Sequence, residues 1–149
     1  MNTVRMMLDM KGHDVFSIGP DASVYQAVES MATREVGALI VVTEDNKVAG
    51  IISERDYARK VILKNKASRE TKIHEIMTKD VIYVEESTAV DTCMSLMSQK
   101  NIRHLPVVKD GAPVGMVTVD DLLKFTIKDQ KIVIAELESY VMEEVGGES

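Results

Sequence analysis

Apolar and polar residues along the chain form two similar series of short strands and amphipathic helices. The first predicts a strand over 15–18, a helix over 24–34, strands over 38–43 and 47–52, and a helix from about Glu54 with Tyr57, Ala58, Val61 and Ile62 on one face. The second predicts a helical turn over 73–77, a strand over 81–84, a helix over 88–100, hairpin strands over 105–108 and 114–117, and a helix from Val119 to about Glu144. Residues 1–13 are a lead-in without a predicted element, and 64–72 is a polar loop.

Both series follow the order β-α-β-β-α and repeat one sequence pattern. The period is 66 residues in the pairs Asp14 and Asp80, Val24 and Val90, and Met31 and Met97, and 65 residues in the pair Gly50 and Gly115. A unit of this size is marginally stable alone. We therefore expect an α+β fold in which two repeats, related by a pseudo-twofold axis, pack small mixed sheets against helices. The expected boundaries are 8–64 for the first repeat, 65–72 for a linker, 73–130 for the second repeat, and 131–149 for a C-terminal helix extension and tail.

The composition limits the partners of the chain. Its 149 residues carry a formal net charge of −6, and only 4% are aromatic, so nucleic acid and anionic membranes are not expected partners. No apolar run approaches the roughly 20 residues of a transmembrane helix, and the N-terminus lacks a signal-peptide pattern. We therefore expect a cytoplasmic protein. Cys93 lies among apolar residues of a predicted helix and is expected to be buried.

One repeated motif carries the candidate chemistry. It reads Gly50-Ile51-Ile52-Ser53-Glu54-Arg55-Asp56 in the first repeat and Gly115-Met116-Val117-Thr118-Val119-Asp120-Asp121 in the second. Each copy places Ser or Thr and then Asp at a helix start, where free N–H groups attract anions and the carboxylate accepts two ribose hydroxyls. The alternative interpretation is a plain capping box. The repeated glycine favours a site where something approaches the backbone closely.

Arg103 and His104 are the second candidate. They begin the strand that pairs with the one ending at Thr118, so Arg103 can hold a phosphate at that edge and His104 can donate to it. The alternative is a solvated polar pair. The three histidines lie in different elements, and no triad or paired-carboxylate arrangement is present. We therefore predict neither catalysis nor a bound metal or cofactor.

These segments, together with Ile102-Arg103-His104-Leu105-Pro106-Val107, resemble the hallmark segments of cystathionine-β-synthase (CBS) domains. The resemblance covers about residues 11–130, and two such domains in tandem form a Bateman module. It implies a stand-alone bacterial or archaeal CBS pair. It also implies a regulatory protein, usually dimeric, that binds an adenine nucleotide (AMP, ADP or ATP) in clefts between the repeats and signals by a change of shape or of partner.

Carried over residue by residue, the resemblance implies two sites. In the first, Asp121 takes the ribose, Thr118, Arg103 and His104 take the phosphate, and Met116 lines the adenine. Asp120 is a further nucleotide-binding residue there, and Lys11, Asp14, Phe16 and Val36 close the cleft. The second uses Asp56, Ser53, Arg55, Ile51, Thr78, Asp80, Ile82 and Ile102. Gly37-Ala38 stands where the second repeat has Arg103-His104, so we expect weaker phosphate binding at the Asp56 site.

Three points stay open at the level of sequence. The ligand can instead be S-adenosylmethionine or NAD, or the clefts can be empty in a scaffold protein, and the sequence names no regulated partner. A homodimer is expected to cover helix faces such as Ala27, Val28 and Met31 or Tyr57, Val61 and Ile62. The last helix carries an apolar stripe expected to pack on a partner or on the body of the chain, formed by Leu123, Ile127, Ile134, Leu137 and Val141.

Overall fold

Each repeat builds one small sheet with helices packed against it. The computed structural model describes residues 1–147. Its elements are α1 (Val4–Lys11), β1 (Ser17–Ile18), α2 (Val24–Arg34), β2 (Ala38–Val42), β3 (Val48–Ser53), α3 (Glu54–Asp56, continued by a π-helical turn over Tyr57–Ile62), α4 (Ile73–Ile76), α5 (Val90–Lys100), β4 (His104–Lys109), β5 (Ala112–Thr118) and α6 (Val119–Gly147). The α+β class with small sheets packed against helices is confirmed: the first repeat has a mixed three-stranded sheet, and the second has the antiparallel pair β4 and β5. Within the described residues, no helix is both long and apolar enough to span a membrane.

The two sheets differ at one strand. In the first sheet, β1 pairs parallel with β2, and Ile40 N–H donates to Phe16 O (3.0 Å). The second sheet keeps only a parallel bridge between Val84 and Val107 at this place, so the predicted strand over 81–84 is wrong. Pro106 occupies the position equivalent to Ile40 and has no N–H to donate to Ile82 O, so the pairing cannot extend.

The hairpin between β4 and β5 has the predicted turn. Asp110 (φ 52°) and Gly111 (φ 80°) both adopt positive φ angles, as a two-residue type I′ turn requires. The equivalent turn in the first repeat spans 43–47 and is longer. The two hairpins touch, because Val48 N–H donates to Gly111 O (2.9 Å) and Lys47 Nζ donates to Asp110 O (2.6 Å).

The helix that precedes each repeat completes the core of the other repeat. Helix α1 was not predicted, and its Val4, Met7 and Leu8 are buried in the core of the second repeat. Conversely, Ile73 and Ile76 of α4 are buried in the core of the first repeat. Backbone hydrogen bonds hold each segment in place. They include Val4 N–H to Thr88 O and Val90 N–H to Asn2 O for one segment, and Ile73 N–H to Ala22 O and Val24 N–H to Thr71 O for the other.

The helix faces predicted to lie in a dimer interface lie partly in the chain's own core. Ala27, Met31 and Val61 are fully or almost fully buried in the first repeat. Ala58 and Ile62, predicted to share a face with Val61, are exposed. The π-helical turn is the reason: its hydrogen bonds span five residues, as from Leu63 N–H to Ala58 O (3.1 Å), so spacing expected of an α-helix does not hold.

The core of the second repeat buries Cys93 as predicted. Burial raises the pKa of its thiol to about 11, while a backbone hydrogen bond lowers it slightly. The thiol therefore stays protonated at neutral pH and is not a nucleophile.

Candidate functional site

One continuous cleft of about 1000 Å³ lies between the repeats and takes its walls from both. Every residue predicted for the two nucleotide sites lines it: Lys11, Asp14, Phe16, Val36, Ile51, Ser53, Arg55, Asp56, Thr78, Asp80, Ile82, Ile102, Arg103, His104, Met116, Thr118, Asp120 and Asp121. The cleft is thus one space with two sides, which we name the Asp121 side and the Asp56 side after the carboxylates at the starts of α6 and α3. The contacts of these residues with a ligand remain a prediction.

On the Asp121 side, the start of α6 is a closed capping box. Thr118 N–H donates to Asp121 Oδ2 (2.9 Å), and Asp121 N–H donates to Thr118 Oγ1 (3.1 Å). Lys11, the last residue of α1, donates from Nζ to the same Oδ2 (2.5 Å) and to Met116 O (2.6 Å). Within the described residues, no hydrogen bond reaches Asp121 Oδ1. This oxygen is therefore available to a ligand.

On the Asp56 side, the capping box closes in the same way. Ser53 donates from both N–H (3.0 Å) and Oγ (3.1 Å) to Asp56 Oδ2, and Asp56 N–H donates to Ser53 Oγ (3.2 Å). Here the second oxygen is also used, because Lys60 Nζ lies 3.0 Å from Asp56 Oδ1. Lys60 is held in turn by Ile76 O (2.9 Å). A ligand that uses Asp56 must therefore compete with an ion pair, whereas Asp121 offers an open oxygen.

Both motifs thus form capping boxes, but the second oxygen of the carboxylate is paired with Lys60 at Asp56 and accepts no hydrogen bond from the described residues at Asp121. The two repeated glycines, Gly50 and Gly115, are approached closely, as predicted, but by atoms of the protein itself. A β-carbon on Gly115 would lie 2.9 Å from Leu8 Cδ1, and one on Gly50 would lie 2.7 Å from Met77 Sδ. What approaches these glycines is the preceding helical segment of the exchanged pair, not a ligand. Glycine therefore recurs at this position because the packing of each repeat leaves no room for a side chain there.

His104 lies where the repeats meet. A β-carbon on Gly37 would lie 3.3 Å from its imidazole, so Gly37, which the sequence marked only as lacking a basic side chain, makes room for His104. Burial lowers the pKa of His104 below its ordinary value; Arg103, Arg55 and Lys11 lower it further, while Asp121 opposes them. The imidazole is therefore neutral at neutral pH, where it can donate one N–H to a phosphate.

The lowered pKa of His104 predicts a pH dependence of stability. The unfolded chain takes up this proton near pH 6.5, whereas the folded protein takes it up only at lower pH. The stabilising contribution is full above pH 6.5 and is lost as the pH falls through the folded-state pKa. We expect His104→Gln to reduce the slope of the unfolding free energy against pH by an amount equivalent to at most about one bound proton. Urea denaturation at several pH values from neutral to acidic measures this slope. His74→Gln, an exposed histidine outside the cleft, is the control. A slope that changed in the control and not in His104→Gln would contradict the assignment.

Arg55 ties the two repeats together across the cleft. Its Nη1 donates to the backbone oxygen of Asn101 (3.0 Å), the residue that ends α5 in the left-handed conformation. The equivalent position in the second repeat is Asp120, a carboxylate, so the pseudo-twofold contact cannot form. The link between the repeats is therefore asymmetric. It also engages the guanidinium of Arg55, a cation on the Asp56 side, in a hydrogen bond with the protein.

Several lining residues were missed: Gly12, Val15, Met31, Ala32, Glu35, Gly37, Ala38, Glu54, Val81, Val119 and Lys124. Lys124 had a signal in the sequence, because it follows Asp121 by three residues on one helix and so shares its face.

The cleft is lined by the cations Lys11, Arg55, Arg103 and Lys124 and by the anions Asp14, Glu35, Glu54, Asp56, Asp80, Asp120 and Asp121. Carboxylates outnumber cations, so the cleft does not favour a bare polyphosphate.

Comparisons with known proteins give one family. The CBS domain family model matches residues 8–63 and 73–128. Among curated proteins, the chain is 41% identical over 125 residues to CBS domain-containing protein CBSX3, mitochondrial, of Arabidopsis thaliana, a match that covers 81% of this chain and 61% of that protein. The match covers between 18% and 66% of the length of the curated relatives.

Solved structures with the same fold include a protein with CBS domains from Burkholderia ambifaria. It is 42% identical, with a TM-score of 0.81, and the match covers 87% of this chain and 96% of that one. The CBS domain pair of protein MJ0100 is 30% identical, with a TM-score of 0.78, over 87% of this chain and 98% of that one. That structure is a complex with 5′-methylthioadenosine and S-adenosyl-L-methionine.

Proposed function

The chain belongs to the CBS-domain family, and on that premise we propose that it is a regulatory module that binds an adenine nucleotide, AMP, ADP or ATP, in the cleft between its repeats. The observation that carries the proposal is the Asp121 carboxylate, held by Thr118 at the start of α6 with its Oδ1 oxygen open to the cleft. Such an oxygen accepts a vicinal diol of ribose. The ligand adds hydroxyl contacts without breaking the capping box.

The phosphate of the ligand lies, in this proposal, at the Arg103 end of the same side. Arg103, Arg55 and Lys11 all lie close enough to His104 to act on its pKa, so a bound phosphate meets several cations. Arg103 is exposed, and within the described residues it makes no ion pair. It can therefore turn to the phosphate without giving up an existing contact.

Binding can be transmitted through the contacts that cross the cleft. A phosphate that draws Arg55 away from Asn101 O removes the hydrogen bond that ties the start of α3 to the end of α5. A ligand between Gly37 and His104 separates two groups now in contact. The proposal is therefore regulatory, with a change in the angle between repeats as the signal and without a catalytic step. It includes a cytoplasmic location and a homodimer.

S-adenosylmethionine is the second candidate, and two observations favour it. The excess of carboxylates in the cleft attracts a cationic sulfonium ligand more than a polyanion. The MJ0100 domain pair, which is similar to this chain, binds S-adenosyl-L-methionine. Both candidates share the adenosyl group, so the Asp121 contact serves either.

Isothermal titration with adenosine, AMP, ATP and S-adenosylmethionine tests the proposal. We expect AMP to bind more tightly than adenosine, because charge-assisted hydrogen bonds to the phosphate add to the ribose contacts. S-adenosylmethionine binding more tightly than AMP supports the second candidate. Absence of binding by every compound overturns both and leaves a scaffold protein.

A further inference from the structure

Helix α6 continues far beyond the core of the second repeat. Leu122 and Phe125 are buried, but every side chain from Gln130 to Met142 is exposed. At roughly 1.5 Å per residue this part of the helix is about 20 Å long. A helix of that length with no packed face is only marginally stable in water. From Gln130 to Met142 the predicted packing on the body of the chain is therefore absent, and this part of the helix is free to contact another molecule.

The exposed large apolar side chains of α6 concentrate on one face. Seven of them follow the alternating three- and four-residue spacing of a helix-pairing seam and its flank: Leu123, Ile127, Val133, Ile134, Leu137, Tyr140 and Val141. We name this set the α6 seam. Ile132 and Met142 lie away from it. Ile132 precedes Ile134 by two residues, which places it on the opposite side of the helix.

Charge along α6 identifies the occupant. After the acidic start of α6 at Asp120 and Asp121, a basic stretch is followed by an acidic one: Lys124, Lys128 and Lys131 accompany one Asp129, and Glu136 and Glu138 come next. A second copy that runs antiparallel places each basic part beside the partner's acidic part, whereas a parallel copy sets like charges together. In the antiparallel register that brings Ile134 against the partner's Leu137, Lys131 lies beside the partner's Glu138, and the contact occurs twice by symmetry.

We propose that the α6 seam pairs with the α6 seam of a second copy in an antiparallel helix pair. This inference rests on the homodimer of the proposed function and identifies the surface through which the two copies pair. The covered side chains include Ile134, Leu137 and Tyr140, which are 54%, 59% and 61% exposed in the single chain. Ligand binding plays no part in the pairing.

Two matched variants of the full chain test the face. Light scattering of the unaltered protein at micromolar concentration is expected to give twice the chain mass of 16.5 kDa. Ile134→Asp should weaken the dimer roughly a hundredfold, because it buries a charge in the seam. Ile132→Asp, the same change on the opposite side, should leave the dimer unchanged. Both positions are exposed in the single chain, so circular dichroism should show folded protein for each.

A charge exchange tests the direction. Lys131→Glu or Glu138→Lys alone should weaken the dimer by about tenfold, and the double variant Lys131→Glu/Glu138→Lys should restore it. A parallel pair already sets like charges together, so a single exchange would not weaken it. Single variants that dimerise as tightly as unaltered protein therefore overturn the antiparallel arrangement. A chain mass of one copy overturns the homodimer itself. A dimer that survives Ile134→Asp overturns only the α6 seam, so the two failures are distinguishable, and neither bears on nucleotide binding.

Discussion

Replacing Arg103 by alanine should weaken AMP binding by roughly ten- to hundredfold and leave adenosine binding almost unchanged. A charge-assisted hydrogen bond to a phosphate contributes on the order of 1.5–3 kcal/mol. Adenosine has no phosphate and cannot use the guanidinium. Arg103 lies at the edge of the cleft next to His104, whose pKa responds to its charge. Isothermal titration of both ligands with the same variant measures the difference directly.

The controls separate phosphate from ribose. Arg59→Ala removes the same exposed charge from a residue outside the cleft and should change neither affinity. Asp121→Ala should weaken AMP and adenosine together, since it removes the ribose acceptor. An equal loss of both ligands in Arg103→Ala would show that Arg103 supports the fold of the site and does not bind phosphate. If Asp56→Ala abolished the tighter binding event, the ligand would bind on the Asp56 side of the cleft, and its assignment to the Asp121 side would be wrong.

The inequality of the two sides has a structural basis beyond Arg103. Asp56 Oδ1 is paired with Lys60 at 3.0 Å, while Asp121 Oδ1 accepts no hydrogen bond within the described residues. A ribose at Asp56 must replace an ion pair that is partly shielded from solvent. The tighter binding expected at Asp121 therefore involves the ribose as well as the phosphate.

Gly50→Ala should lower the free energy of unfolding by about 1–3 kcal/mol, which is the usual penalty for overpacking. The new β-carbon would lie 2.7 Å from Met77 Sδ and 2.9 Å from Thr78 O. The Met77 side chain can move, but Thr78 is fixed by two hydrogen bonds with Ile51, at 2.9 and 3.0 Å. Thr78 also lines the cleft. The variant should therefore weaken ligand binding together with stability, as chemical denaturation and titration measure.

Gly19→Ala is the matched control, because a β-carbon there meets no atom within 4 Å and the residue has no positive φ angle. This change should leave stability unaltered or raise it by roughly 0.4–1 kcal/mol through the unfolded state. Gly115→Ala should fall between the two, since its contact is the tip of the Leu8 side chain. Equal stability of Gly50→Ala and Gly19→Ala would mean that the contact between Gly50 and Thr78 is not tight.

Local signals in the sequence predicted most of the fold. The β4–β5 turn was clear because Asp110-Gly111 supplies both positive φ angles, and α2 spans the predicted range 24–34, with Ser23 as its cap. Helix α1 was missed although Val4, Met7 and Leu8 follow helical spacing. What the spacing could not give is its packing on the second repeat, far along the chain. The apolar run over 81–84 indicated burial, but whether it pairs depends on an N–H that Pro106 lacks.

The residues that line the cleft were predictable, whereas the contacts among them were not. The residues that the resemblance names all line one cleft, because repeated motifs keep their register on a common fold. It could not foresee that Lys60 would occupy Asp56 or that Gly37 would accommodate His104. Both depend on contacts between side chains that no spacing rule encodes. The repeated glycines show the same limit, since their neighbours belong to helical segments elsewhere in the sequence.

The exchange of α1 and α4 makes the two repeats thermodynamically inseparable. A cut within 65–72 would leave the first part without Ile73 and Ile76, while the second part would lack Val4, Met7 and Leu8. Each repeat owes part of its core to a segment covalently continuous with the other, so the loss of one exposes apolar surface in both. Unfolding is therefore one cooperative transition of the whole chain. A ligand bound anywhere in the cleft thus protects both repeats together from unfolding and proteolysis.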